Sequence, residues 1–143
     1  MSQSAGQKAV PPSVGADVSA IKALLSRNLP EVFGEGDPAR RRVAIQQLYT
    51  EGCVLCAPPG TFVGHNALNK FAGDLRAMHP HYVYTTHGAP QVLHNSGRLA
   101  WGSGPQGEAP RYTGMDFIIA RDGKIAALYV YLDSPPTMMC ETE

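Results

Sequence analysis

The stretch GMDFIIARDGKIAALYVYLD, Gly114 to Asp133, constrains the fold of this chain more than any other. Two apolar runs flank Arg121-Asp122-Gly123, a turn signal, so they read as an antiparallel hairpin. Both runs are apolar on both faces, whereas a sheet with one wet face alternates with polar residues. One face therefore packs on helices, and the other needs a partner, for which a second copy of the chain is the simplest candidate. A single charge, Asp116, interrupts the first strand. Left unpartnered in an apolar layer, a carboxylate costs several kcal/mol, so Asp116 has to line a cavity, meet a donor or hold a proton.

Which residues share its face depends on the turn. A two-residue Asp122-Gly123 turn pairs Asp116 with Tyr129. A three-residue turn with a bulge at Gly123 pairs it with Leu128. In the second case Asp116, Leu128, Val130 and Leu132 face one way, and Met115, Phe117, Ile119, Tyr129 and Tyr131 make the opposite, aromatic-rich face.

The rest of the chain supplies the helices. Residues 1–13 are small, polar and proline-containing and read as a tail. From Asp17, Val18, Ile21, Leu24 and Leu25 fall on one helical face, and Pro30 is expected to end or kink that helix. Asp37 and Pro38 open a second helix that runs to about Tyr49, with Gly52 ending it. The run CVLCA, residues 53–57, reads as a short strand stopped by Pro58 and Pro59. FVGH is a turn and cap, with Gly64 at the bend and His65 or Asn66 as the cap of a third helix carrying Leu68, Phe71 and Leu75. After Pro80 the chain is strand-like: YVYTTHG and QVLHN as one bent strand or two, a turn at Asn95-Ser96-Gly97, then RLAWGSG and the hairpin. Residues 14–134 are thus one α+β domain, three helices on one face of a strongly curved, mostly antiparallel sheet, and 135–143 are a C-terminal tail.

Cys53-x-x-Cys56 suggests redox or metal chemistry, but its setting argues otherwise. In a strand the two residues lie roughly 10 Å apart and point to opposite faces, beyond the reach of a disulfide. Redox pairs open a helix, where the dipole activates the thiol, and zinc requires a second ligand pair. Five scattered histidines give no metal spacing, so neither a metal nor another cofactor is expected. Twelve basic residues balance twelve acidic ones over 143 residues, which leaves no excess cation for nucleic acid or a charged membrane surface. No apolar run approaches membrane-spanning length. With no basic n-region before an apolar core and an odd number of cysteines, the expected setting is a reducing cytoplasm.

The helix order, the segment LYTEGCVLCAPPGTFVGHNAL and the hairpin together resemble the nuclear transport factor 2-like fold, and within it SnoaL-like proteins, relatives of polyketide cyclases, ketosteroid isomerases and limonene epoxide hydrolases. The resemblance spans about Asp17 to Asp133. It implies a cone-shaped, cystatin-like sheet around an apolar pocket. Ketosteroid isomerases use one Asp as base, with a Tyr and a protonated Asp binding the oxyanion. Their hairpin Asp matches Asp116, which favours the second register above, and their network tyrosine matches Tyr49. Ala57 stands where they carry the base, and their first-helix tyrosine has no counterpart near Leu29.

The resemblance therefore implies a small-molecule pocket protein, but not a steroid isomerase. The expected activity is cofactor-free acid–base chemistry, such as isomerisation, cyclisation or (de)hydration, on an apolar oxygenated substrate. Asp116 and Tyr49 are the candidate catalytic residues, with His87 as a replacement base. The expected pocket walls are Phe62, Phe71, Trp101, Leu128, Val130 and Leu132. The alternatives are a non-catalytic dimeric binder of a hydrophobic ligand, which Ala57 favours, and a protein-interaction domain. The expected homodimer forms through the convex face of Met115, Phe117, Ile119, Tyr129 and Tyr131. ARRR, residues 39–42, reads as a solvated helix face.

Overall fold

The computed structural model describes residues 12–133, with side chains from residue 18 onward. Helix α1 spans Pro12–Asn28, so it begins two residues inside the stretch expected to be tail. Residues 1–11 and the whole of the expected C-terminal tail, Cys140 included, lie outside the described residues. Ile21, Leu24 and Leu25 are buried, as their spacing requires. Pro30 does not end the helical course. It has no N–H to donate, and its ring would crowd the preceding turn. The backbone widens instead into a π-helical turn, Leu29–Phe33, which Gly34 closes by donating its N–H to Leu29 O at 2.7 Å. π-turns of this kind occur often beside functional sites.

Helix α2, Pro38–Leu48, opens as expected, with the Asp37 carboxylate accepting from the Ala39 N–H. It ends one residue earlier than expected, and Tyr49 already belongs to strand β1, Tyr49–Ala57. Pro58 and Pro59 turn the chain into β2, Gly60–Val63, which pairs antiparallel with β1. Sequence reasoning gave that segment only a turn. Helix α3, His65–Met78, has Gly64 at its N-cap position with φ 91°, and His65 is its first residue rather than its cap. The His65 Nε2 lies 3.1 and 2.9 Å from the carbonyls of Tyr49 and Thr50, tying the helix start to β1.

Strands β3 (Tyr82–Leu93), β4 (Ser96–Pro105), β5 (Tyr112–Arg121) and β6 (Lys124–Leu132) complete a six-stranded sheet in the order β2-β1-β6-β5-β4-β3. Only β1 and β6 run parallel. β3 is one strand with an irregularity between His87 and Gln91, and the turn after it is His94-Asn95. This is an α+β domain with three helices on a curved, open, mostly antiparallel sheet. Breaks of register in β1, β3 and the β5–β6 pair bend the strands, as bulges do.

The hairpin register differs from both expectations. Arg121 pairs with Lys124 around Asp122-Gly123, whose positive φ values of 55° and 78° suit a two-residue turn. Past that turn, Ala120 opposes Ile125 but Ile119 opposes Ala127, so Ala126 is an extra residue. The bulge restores the parity that a three-residue turn would have given. Asp116 opposes Val130, and Asp116, Leu128 and Val130 share the concave face, as the second alternative required.

Arg41 corrects the reading of ARRR. It falls on the buried stripe of α2 with Ala44, Ile45 and Leu48 and is 4 % exposed. Its Nε donates to Asn69 Oδ1 at 2.6 Å and its Nη1 to the Glu35 carbonyl, clamping α2 to α3. Gly73 leaves room for it, since a Cβ there would lie 2.7 Å from Arg41 Nη2. Removing the guanidinium strands the buried Asn69 Oδ1 and the half-buried Glu35 carbonyl. Arg41→Ala is therefore expected to cost about 2 kcal/mol in denaturant unfolding, while the exposed Arg40→Ala leaves the unfolding midpoint nearly unchanged.

Candidate active site

Asp116 sits mid-strand on β5 and is 3 % exposed. Both its oxygens are engaged by neutral donors. The Trp101 Nε1–H donates to Oδ1 at 3.0 Å, and the Asn28 Nδ2–H donates to Oδ2 at 3.2 Å. Behind Asn28, the Tyr49 hydroxyl donates to Asn28 Oδ1. A buried chain thus runs from Tyr49 through Asn28 to Asp116 and on to Trp101.

Each member is placed by a local feature. Asn28 is the last residue of α1, just before the π-turn. Trp101 lies on β4 opposite Gly114 of β5. Only glycine fits there, because a Cβ would lie 2.7 Å from the indole Cζ2 and 2.5 Å from the Tyr131 carbonyl. Tyr49 marks the joint between α2 and β1 and is buried.

Burial raises the Asp116 pKa to about 7, although the hydrogen bonds from Trp101 and Asn28 pull it down. Both protonation states are therefore populated near neutrality. Burial likewise raises the Tyr49 hydroxyl well above its usual range. Tyr84 is raised well above it too, by burial first and then by Tyr112 and Asp116. Both tyrosines keep their protons.

Asp116 lines a cavity, as do four of the walls expected from sequence: Phe71, Trp101, Val130 and Leu132. The π-turn adds Leu29 and Phe33, and α3 adds Leu75. Tyr84 and Tyr112 come from β3 and β5, and Ala57 and Pro58 from the end of β1. Among the described residues no lysine, arginine or histidine lines it.

Three expected site residues lie elsewhere. His87 is exposed and pairs with Ala100, which pairs with Met115, so it stands on the face opposite Asp116 and is no base for it. Phe62 stacks on Phe71, with ring centroids 4.5 Å apart, and borders an outer cleft rather than the cavity. Leu128 shares the face of Asp116 but is wholly buried in the core beside the cavity. Cys53 is buried and Cys56 half-buried, and both are free thiols.

Sequence reasoning missed Asn28, although a signal existed. Residues 21, 24, 25 and 28 form one helical stripe, and Asn28 is the polar member of an otherwise apolar set. Among the described residues no three His, Cys, Asp or Glu side chains gather as a metal site would require, and no helix is long and apolar enough to cross a membrane.

This geometry has clear structural counterparts. No protein-family profile matches the sequence, and no curated protein matches it. Solved structures do. A candidate isomerase of the SnoaL-like family from Agrobacterium tumefaciens aligns with a TM-score of 0.75 at 20 % identity, covering 82 % of this chain and 100 % of that one. A candidate ketosteroid isomerase from Kribbella flavida aligns at 0.64 and 15 % identity, covering 83 % and 82 %. A de novo designed protein with a curved β-sheet aligns at 0.67 and 17 % identity, covering 87 % and 95 %. Other neighbours are described as SnoaL-like polyketide cyclase, nuclear transport factor 2-like and cystatin-like. The chain has the nuclear transport factor 2-like, cystatin-like fold. One fold of this kind hosts many unrelated functions, so the likeness gives the fold and not an activity.

The Asp116 environment makes stability depend on pH. Its folded pKa of about 7 exceeds the ordinary 3.8. The folded state therefore holds the proton more tightly between those values. The resulting stabilisation is complete below about pH 4 and is lost as pH rises through about 7. Wild type is expected to lose about 4 kcal/mol relative to Asp116→Asn between pH 4 and pH 8. Denaturant unfolding of both proteins across that range measures the difference, which would stay constant if Asp116 titrated like an exposed carboxyl.

Proposed function

We propose that this protein is a cofactor-free acid–base enzyme of the isomerase, cyclase or (de)hydratase type, acting on a small, uncharged, apolar substrate that carries a hydrogen-bond acceptor oxygen. The observation behind this reading is Asp116: one carboxyl in an apolar cavity, held by neutral donors and poised between its two protonation states at neutral pH. Groups tuned in this way are suited to moving protons. Asp116 is the catalytic residue of this reading, donating a hydrogen bond when protonated and abstracting a proton when ionised. Tyr49 and Asn28 are its positioning residues. Because no cation among the described residues lines the cavity, a carboxylate or phosphate substrate would be buried there without a counter-charge from them.

The test begins with mass spectrometry of what co-purifies from the host. Turnover of that compound, or of a small alicyclic enone if the pocket is empty, is then compared between wild type and Asp116→Asn. A fall of at least about 100-fold in kcat is expected, with circular dichroism unchanged and an inflection near pH 7 in the wild-type kcat/KM profile. Equal turnover would remove Asp116 from the mechanism.

A second reading, binding without catalysis, is favoured by Ala57, which lines the cavity where the isomerase resemblance calls for a base. On that reading Asp116→Asn alters affinity alone.

In either case the convex face is the proposed homodimer surface. Tyr129 and Tyr131 are 37 % and 60 % exposed there, beside half-buried Met115, Phe117 and Ile119. Sedimentation equilibrium is expected to give a dimer that Tyr131→Asp converts to monomer with the fold retained. A wild-type monomer at all concentrations would exclude the dimer.

A further inference from the structure

The cavity is smaller than any ligand proposed for it. The space in it open to water is ≈ 30 Å³, room for one or two waters. Small-molecule sites commonly reach about 300 Å³ or more, so a wall has to move. Protein interiors are close-packed, and a side chain swings aside only where free space lies behind it.

Two of the inner walls have no such space. Trp101 is tied to Asp116 and wedged edge-on between the rings of Tyr84 and Tyr112, at centroid distances of 5.4 and 6.0 Å. Val130 is fixed in a strand paired on both sides. Phe71 and Leu75 differ. They sit one turn apart on α3, and beyond them lies an open surface cleft of ≈ 460 Å³, also bordered by Pro59, Phe62, Ala67 and Met78. Phe71 and Leu75 line both spaces. Phe71 stacks on Phe62 toward this cleft and meets Phe33 only edge-on, at 6.5 Å and 78°. The charges at the cleft are Lys70 and Asp74, which pair with each other at 3.0 Å. The approach therefore carries no unbalanced charge, as suits an uncharged ligand.

We propose that Phe71 and Leu75 are the door of the cavity. A ligand enters from the outer cleft as these two side chains swing into it, and the bulk of Phe71 limits the size of what is admitted. This rests on the reading above only in taking the cavity as the ligand's destination.

Trp101, the sole tryptophan, lines the cavity and reports on entry without any ligand. Acrylamide, small and uncharged, quenches its fluorescence only by reaching it. Ala67→Phe, at a half-buried helix position, fills the space the door needs. It is expected to lower the acrylamide quenching constant several-fold, and Phe71→Ala to raise it several-fold. Leu132→Ala trims a wall that does not border the outer cleft and is expected to change it little. If Ala67→Phe leaves quenching unchanged, or Leu132→Ala raises it more than Phe71→Ala does, entry lies elsewhere and the door is refuted. Should Phe71→Ala fail to fold, Ala67→Phe decides alone. Turnover plays no part in the readout, so the door and the acid–base reading can fail independently.

Discussion

A single carboxylate, buried without a cation, organises this molecule. Asp116 lies in an apolar cavity with only N–H donors on its oxygens. Such a group is destabilising when ionised, and the two hydrogen bonds offset that only in part. The remaining cost, about 4 kcal/mol at alkaline pH, is a large share of the roughly 5–15 kcal/mol that holds a domain together. Leucine or valine would pack a strand centre without it. The compensating donors come from distant parts of the chain, Asn28 from the helix layer and Trp101 from the sheet. The same bonds that tolerate the carboxyl therefore also pin helix to sheet.

The local irregularities are easiest to understand as consequences of that requirement. Pro30 widens the helix immediately after Asn28, and the resulting π-turn presents Leu29 and Phe33 to the cavity. Gly114 removes the side chain that would push the Trp101 indole off β5 and away from Asp116. The extra residue Ala126 shifts β6 by one position, which turns Val130 rather than Tyr129 toward the carboxyl. Each breaks a rule of regular structure, and each break lies on an element that lines the cavity or holds Asp116.

Asp116 could be read from sequence because one charge in a run apolar on both faces has few explanations. The face it occupies followed from strand parity, although the register did not, since no residue pattern announces a bulge at Ala126. Asn28 and Arg41 were legible by the same logic, as polar members of buried helical stripes, and each proved to be a hydrogen-bonding anchor. What failed depended on pairing and depth. The face of His87 is decided only when β3, β4 and β5 are aligned, across two strand pairings that its own sequence does not specify. Phe62 and Phe71 look alike as apolar residues, but a stacked pair has an inner and an outer member, and only Phe71 reaches the cavity. Strand β2 is four residues long and follows two prolines, too short to show alternation.

Ala57 bears on which chemistry the proposed enzyme could perform. Besides Asp116, the titratable groups lining the cavity are Tyr84 and Tyr112, and burial keeps Tyr84 protonated. Taking a proton therefore falls to Asp116, the carboxyl in the lining, which can also return it. A reaction that needs a separate acid and base at once is poorly served by one group. A reaction that removes a proton from one atom and returns it to a neighbouring one is well served, provided the group is ionised as readily as it is protonated, and a pKa of about 7 meets that condition. Within the proposed range of activities, these constraints favour a proton shift along a substrate over hydration, which needs a positioned water as a second reactant.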